Sequence, residues 1–195
     1  MHIPKFKEFI SEDKDEKLFC KILIITDEPE EAKTFHTADR PKQEAEKLKL
    51  PYYLYKLTGG YITFEDNIRR LHNKKDPKGF EITSDTVAVI RGSITRKDSW
   101  MDIVSTLEKD GICVVNSRQC ISICADKYRT YLKLADYSIN QPNTALITDP
   151  EKSKEAFEKL DTKYPIILKT LRGSKGVGVL FVESAKGLDS LCQVL

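Results

Sequence analysis

Residues Gly173-Ser174-Lys175-Gly176-Val177-Gly178 put three glycines, a hydroxyl and an ammonium into one short loop. Glycines let backbone N–H groups approach phosphate oxygens with no Cβ in the way, and Ser174, Lys175 and the preceding Arg172 add donors and positive charge. A P-loop finishes as Gly-Lys-Ser/Thr and runs into a helix; this loop finishes as Gly176-Val177-Gly178 and runs into Val179-Leu-Phe-Val-Glu183, a strand signal. A dinucleotide fingerprint needs Gly-x-Gly-x-x-Gly between strand and helix, and both requirements fail. A kinase glycine loop lies between antiparallel strands, but its lysine follows the loop. Here Lys169 precedes Gly173, and the 12 residues after Glu183 leave no room for a catalytic loop. What remains is a strand–glycine loop–strand hairpin with Lys169 on an otherwise apolar incoming strand, Pro165–Leu171. A charge there is costly unless it is paired or faces a site. The alternative is an ordinary flexible hairpin with Lys169 reaching solvent from an edge.

Lys127 is a second oddly placed cation. Asp126 can cap a helix whose apolar stripe is Tyr128, Tyr131, Leu132 and Ala135. A lysine in that helix's first turn opposes the positive end of the macrodipole. An anion held there would satisfy both the lysine and the open N–H groups; otherwise Lys127 is simply solvated. Two such lysines and a glycine loop in one region point to a triphosphate.

Weaker candidates follow strands. His36, Arg91 with Gly92-Ser93, and Asn116 with Ser117 would stand where strands of an α/β sheet end, at a substrate groove. Their ordinary readings are a solvated loop, strand termination and helix capping. The run from Arg69-Arg70 to Asp76 reads as a solvated loop. Cys20, Cys113, Cys120, Cys124 and Cys192 form an odd set with no export signal, which fits reduced, buried structural thiols in a cytoplasm. Cys120 and Cys124 share one helix face, but the three histidines are not spaced to complete a metal site with them.

These residues need elements to hold them. Leu18–Thr26, Pro51–Leu57, Thr86–Ile90 and Ile112–Val115 read as strands, with helices over Thr37–Leu50 and Trp100–Lys109 between them. That alternation implies a parallel α/β sheet. Residues 61–83 are ambiguous: Tyr61–Phe64 and Phe80–Thr83 look like strands, with a loop between. After Asn116 come a short helix to Cys124, the Asp126 helix, a short strand Thr144–Ile147, a helix capped by Asp149 with Pro150 first, the hairpin, and a helix in Gly187–Leu195. The expected layout is a charged arm at 1–17, an α/β domain at 18–116 and an α+β domain at 117–195. The chain has 195 residues and a net charge of +2, which is too little for a protein built to neutralise a nucleic-acid backbone. Its apolar runs are too short to cross a bilayer. Its first residues lack the apolar stretch of a signal peptide.

The segments Gly111–Asn116, Ala125–Ala135, Asn140–Thr144, Tyr164–Lys169 and Gly173–Gly178, in that order, resemble the ATP-grasp ligases, in particular the RimK-like glutamate ligases. Residues 18–116 are similar to the α/β domain that precedes the grasp fold in that family, on element order alone. The resemblance implies an α/β protein: a parallel-sheet pre-ATP-grasp domain followed by a partial α+β ATP-grasp domain. It implies ATP binding by Lys127, Lys169, Gly173, Ser174, Lys175, Gly176 and Gly178, and ATP-dependent joining of a carboxylate to an amine through an acyl phosphate. The partners would be ATP and an amino acid, peptide or protein carboxylate acceptor, with no membrane or nucleic acid; a homo-oligomer is left open. The family's magnesium ligands follow the hairpin, so Mg2+ would be held beyond this chain, which reads as the first part of a ligase with little turnover of its own. The other reading is a nucleotide-binding or interaction module without catalysis.

Overall fold

The computed structural model describes residues 21–28, 37–74, 76, 78–173 and 176–194. The chain divides into two units, 1–118 and 119–195.

The first unit is built on β1 (Lys21–Thr26), whose Leu23, Ile24 and Ile25 are fully buried. A strand with apolar side chains on both faces needs cover on both faces and neighbours on both edges. It pairs in parallel with β2 (Tyr52–Lys56) on one side and β6 (Thr86–Arg91) on the other, and β7 (Cys113–Val115) adds to β6, giving the order β2-β1-β6-β7. Register places Thr26 beside Lys56 and Arg91. Helix α1 (Asp39–Lys47) takes Pro41 in its first turn, where a missing N–H is harmless. Helix α2 (Asp98–Lys109) buries Trp100, Met101, Val104 and Leu107 on one stripe.

A second sheet of this unit, antiparallel, joins β3 (Tyr61–Glu65), β4 (Ile68–His72) and β5 (Phe80–Glu81). Asp66 and Asn67 both have positive φ, 49° and 61°, as a two-residue hairpin turn requires. The expected solvated loop at Arg69-Arg70 is therefore strand β4. Arg70 lies opposite Glu81 and bonds it at 2.9 Å, and Arg69 pairs with Asp110. A cross-strand pair at Arg70 and a pair to the end of α2 at Arg69 let this arginine-rich segment enter a sheet.

In the second unit, α3 (Arg118–Cys124) leads into α4 (Lys127–Ala135). Asp149 accepts the Glu151 N–H and starts a 3-10 turn with Pro150 first, which continues as α5 (Ser153–Lys159). Strands β8 (Ile166–Lys169) and β9 (Val179–Val182) form an antiparallel hairpin, followed by α6 (Ala185–Val194). Ile166, Leu168 and Val182 pack with Leu188, Leu191 and Cys192 of α6 and with Ile147, Phe157 and Tyr164. Two expectations change. Thr144–Ile147 is irregular, because no neighbouring strand pairs with it among the described residues. On α4, Leu132 is exposed and Leu134 is partly covered, so the stripe is rotated from the expected one. Among the described residues, no helix is long and apolar enough to cross a membrane.

Candidate functional site

The start of α4 and the end of β8 meet at one corner. Asp126, 7% exposed, uses Oδ1 to accept the N–H groups of Tyr128 and Arg129, each at 3.0 Å. That cap satisfies two of the helix's four open donors and fixes the direction of its first turn. The next residue, Lys127, is tied to the strand end twice. Its backbone N–H donates to the Leu171 carbonyl at 2.9 Å, and its Nζ donates to the Thr170 carbonyl at 2.9 Å. The Nζ also reaches the Gly173 carbonyl at 3.5 Å. An ammonium carries three N–H donors, so this anchoring leaves one for an anion at the glycine loop.

The base of the loop is closed by Thr170. Its N–H donates to the Gly178 carbonyl at 2.8 Å and its hydroxyl to the Arg172 carbonyl at 2.7 Å. Two glycines are required by this closure. At Gly178, φ is +72° and a Cβ would collide with the Thr170 hydroxyl; at Gly173, a Cβ would lie 2.7 Å from the Val177 carbonyl oxygen. At the third glycine of the loop, Gly176, φ +82°, a Cβ would meet no atom within 4 Å among the described residues. Room for an approaching phosphate thus lies at Gly176, while Gly173 and Gly178 hold the hairpin shut. Ser174 and Lys175 lie outside the described residues.

Lys169 is exposed. It faces outward from β8, opposite Val179 and beside the Ile167–Phe181 pair, which is 50% and 61% exposed. The opposite face of the hairpin supplies the unit's core, so the charge is solvated and carries no burial penalty. The structure therefore brings Lys127 onto the loop and leaves Lys169 on the open apolar face. Sequence reading missed Thr170, which organises both the loop base and Lys127. Its only signal is a hydroxyl residue directly before the glycine run.

In the first unit, Arg91 ends β6 at the carboxyl edge of the sheet, where the strand order reverses. Its Nε donates to the Thr37 carbonyl at 3.3 Å. Asp27, at the end of β1, was not anticipated. Its Oδ1 accepts the Ser93 N–H at 3.0 Å and occupies the space a Cβ on Gly92 would need, while Oδ2 lies 3.7 Å from Arg96. Asn116 is exposed after β7. His36 lies outside the described residues.

The cysteines correct an expectation. Cys192 is buried, but Cys113, Cys120 and Cys124 are exposed, because short β7 and α3 each leave a side uncovered; Cys20 lies outside the described residues. Among the described residues, no group of three or more His, Cys, Asp and Glu gathers to hold a metal ion.

Residues 124–195 match the RimK-like ATP-grasp domain family model. N-acetylaspartylglutamate synthase A of Mus musculus is 31% identical over 112 residues, covering 56% of this chain and 30% of that protein. A probable alpha-L-glutamate ligase of Pseudoalteromonas translucida is 25% identical over 134 residues, covering 68% of this chain and 42% of that protein. The RimK domain ATP-grasp protein of Sphaerobacter thermophilus superposes with a TM-score of 0.58 at 18% identity, over 89% of this chain and 59% of that one, a likeness of fold. The chain spans about a third of the length of these curated relatives.

Proposed function

Because residues 124–195 match the RimK-like ATP-grasp domain family model, we propose that this chain contributes the leading α/β domain and the first part of the grasp domain of an ATP-dependent carboxylate–amine ligase. The observation that carries the reading is Lys127 anchored on the Thr170 and Gly173 carbonyls beside a glycine hairpin. Bound ATP would supply the phosphoryl group that activates a carboxylate for attack by an amine, by way of an acyl phosphate. The chain's own residues then have distinct parts. Lys127 offers a fixed positive charge to phosphate oxygens, and its fixed position means little reorganisation when charge develops. The glycine backbone at Gly176, where a Cβ would meet no described atom within 4 Å, leaves a phosphate room to approach. Lys169, exposed one residue before Thr170, supplies a second cation to the same ligand, and Ser174 and Lys175 further donors.

The apolar face made by Ile167, Val179 and Phe181 suits a heteroaromatic ring beside those phosphates. Arg91, Asn116 and His36 are proposed to line the carboxylate or amine groove. Mg2+ is the usual companion of such phosphates, but no residue described in this chain is assigned to it. The substrates proposed are ATP and an amino acid, peptide or protein carboxylate, in a cytoplasm.

Calorimetric titration with a non-hydrolysable ATP analogue tests the reading. The expected result is binding that K127A and K169A each weaken at least about tenfold, roughly 1.4 kcal/mol. Equal affinity in all three proteins would overturn it. In the complete polypeptide, binding without any ADP release that a carboxylate and an amine stimulate would favour the nucleotide-binding module instead.

A further inference from the structure

Helix α3 carries a pair of thiols that the ligase reading does not use. In Arg118-Gln-Cys-Ile-Ser-Ile-Cys124, Cys120 and Cys124 stand four residues apart, so they share a face, and both are exposed. Cys124 lies near enough to act on the Cys120 thiol. Residues at this spacing have Cβ atoms about 5–6 Å apart. A disulfide needs them about 3.5–4.5 Å apart. An unbroken helix therefore holds the two sulfurs too far apart to join each other, but close enough to grip one atom between them.

The identity of that atom follows from the ligand count. A structural zinc asks for four ligands, and no third metal-binding side chain joins the pair among the described residues. The fit is to a soft centre that takes two sulfurs and brings its remaining substituent with it. We infer that Cys120 and Cys124 form a chelating dithiol site for a trivalent organoarsenical. With an arsenoxide, two As–S bonds form and the arsenic–oxygen bond breaks. The two thiol protons leave with that oxygen as water, and arsenic stays trivalent, so no oxidant is needed.

Desolvation first, and then the neighbouring Cys124, push the Cys120 thiol up, so that thiol keeps its proton at rest. That disfavours reagents that need a ready thiolate. It is no obstacle to one that carries the protons away as water. The site is also structurally placed. Thr130 Oγ1 donates to the Ile123 carbonyl at 2.8 Å, and the Asp126 N–H donates to the same carbonyl at 3.3 Å. Ser122 pairs with Arg129. A bridge across α3 would thus fasten the helix that leads directly into the Asp126 cap.

The test is intact-mass spectrometry of the 195-residue chain with one equivalent of phenylarsine oxide, followed by tryptic mapping. The expected result is one adduct per chain, resistant to excess monothiol and removed by a dithiol, and found on the peptide Gln119–Lys127, which contains both cysteines. C120S and C124S should each lose that resistance, and C113S and C192S should keep it. An adduct that monothiol removes from the unaltered chain, or that maps to another peptide, would overturn the inference whatever the variants do. The ATP reading stands or falls separately, since no nucleotide is present in this experiment.

Discussion

Asp126 and Lys127 are adjacent, and each answers to a different reach of the chain. Asp126 acts locally, as the cap of α4. D126A should destabilise the second unit by about 1 kcal/mol, up to about 2, and D126N, which keeps an acceptor, by less; urea midpoints read the difference. This cap was legible in the sequence, because an Asp before a helical apolar period has few other uses. The destination of Lys127 was not legible: its carbonyl partners lie 43 and 46 residues away. Nor did the sequence show that Cys120 and Cys124 are exposed, since thiol burial depends on what packs over α3. Tyr55 supports a residue-scale prediction in the first unit. It is fully buried, its hydroxyl has no partner among the described residues, and burial pushes its pKa up to about 12 from the ordinary 10.0. The folded state therefore holds this proton more tightly than the unfolded one. Its contribution is complete below pH 10 and is lost as pH climbs from 10 towards 12. Y55F should flatten that alkaline loss and cost little at neutral pH, because it removes an unsatisfied polar atom. Urea midpoints at neutral pH and at about pH 11 check the sign.

The β8–β9 hairpin separates glycines that look alike in a sequence. G178A meets both a left-handed φ and the Thr170 hydroxyl, whereas G176A meets the same kind of φ with empty space around it. G178A should cost about 1–3 kcal/mol and open the loop base; G176A should cost only the backbone strain of about 1 kcal/mol. Thermal midpoints of the two variants should separate accordingly, and equal midpoints would remove Thr170 from its role. L188A, in a core with few other buried members, should cost about 2–5 kcal/mol. Elements with strong periodicity, such as β1, β6, α2 and the hairpin, were readable because one pattern fits each. Strand β4 was not, since Ile-Arg-Arg-Leu-His enters a sheet only when Glu81 and Asp110 are there to pair its arginines. Thr144–Ile147 erred the other way: a β-prone run stays irregular with no neighbour to pair with.

At the scale of the molecule each of the two units has a core of a different kind. The first surrounds a strand that is dry on both faces, and the second leans a two-stranded ribbon on α6. Amide exchange should therefore be slowest at Leu23–Ile25 and much faster along β8 and β9; comparable protection in both would contradict this. The layered α/β order was readable from alternating elements, and the match to an ATP-grasp segment rested on residues 124–195. The outward side of the ribbon, with Ile167, Val179 and Phe181 bare around the Lys169 ammonium, has a colloidal consequence. Attraction between such surfaces strengthens with gentle warming and with salting-out ions, and fades in the cold. The chain should stay monodisperse on ice, cluster reversibly as sulfate is added at room temperature, and lose that tendency when Phe181 is exchanged for a charged side chain.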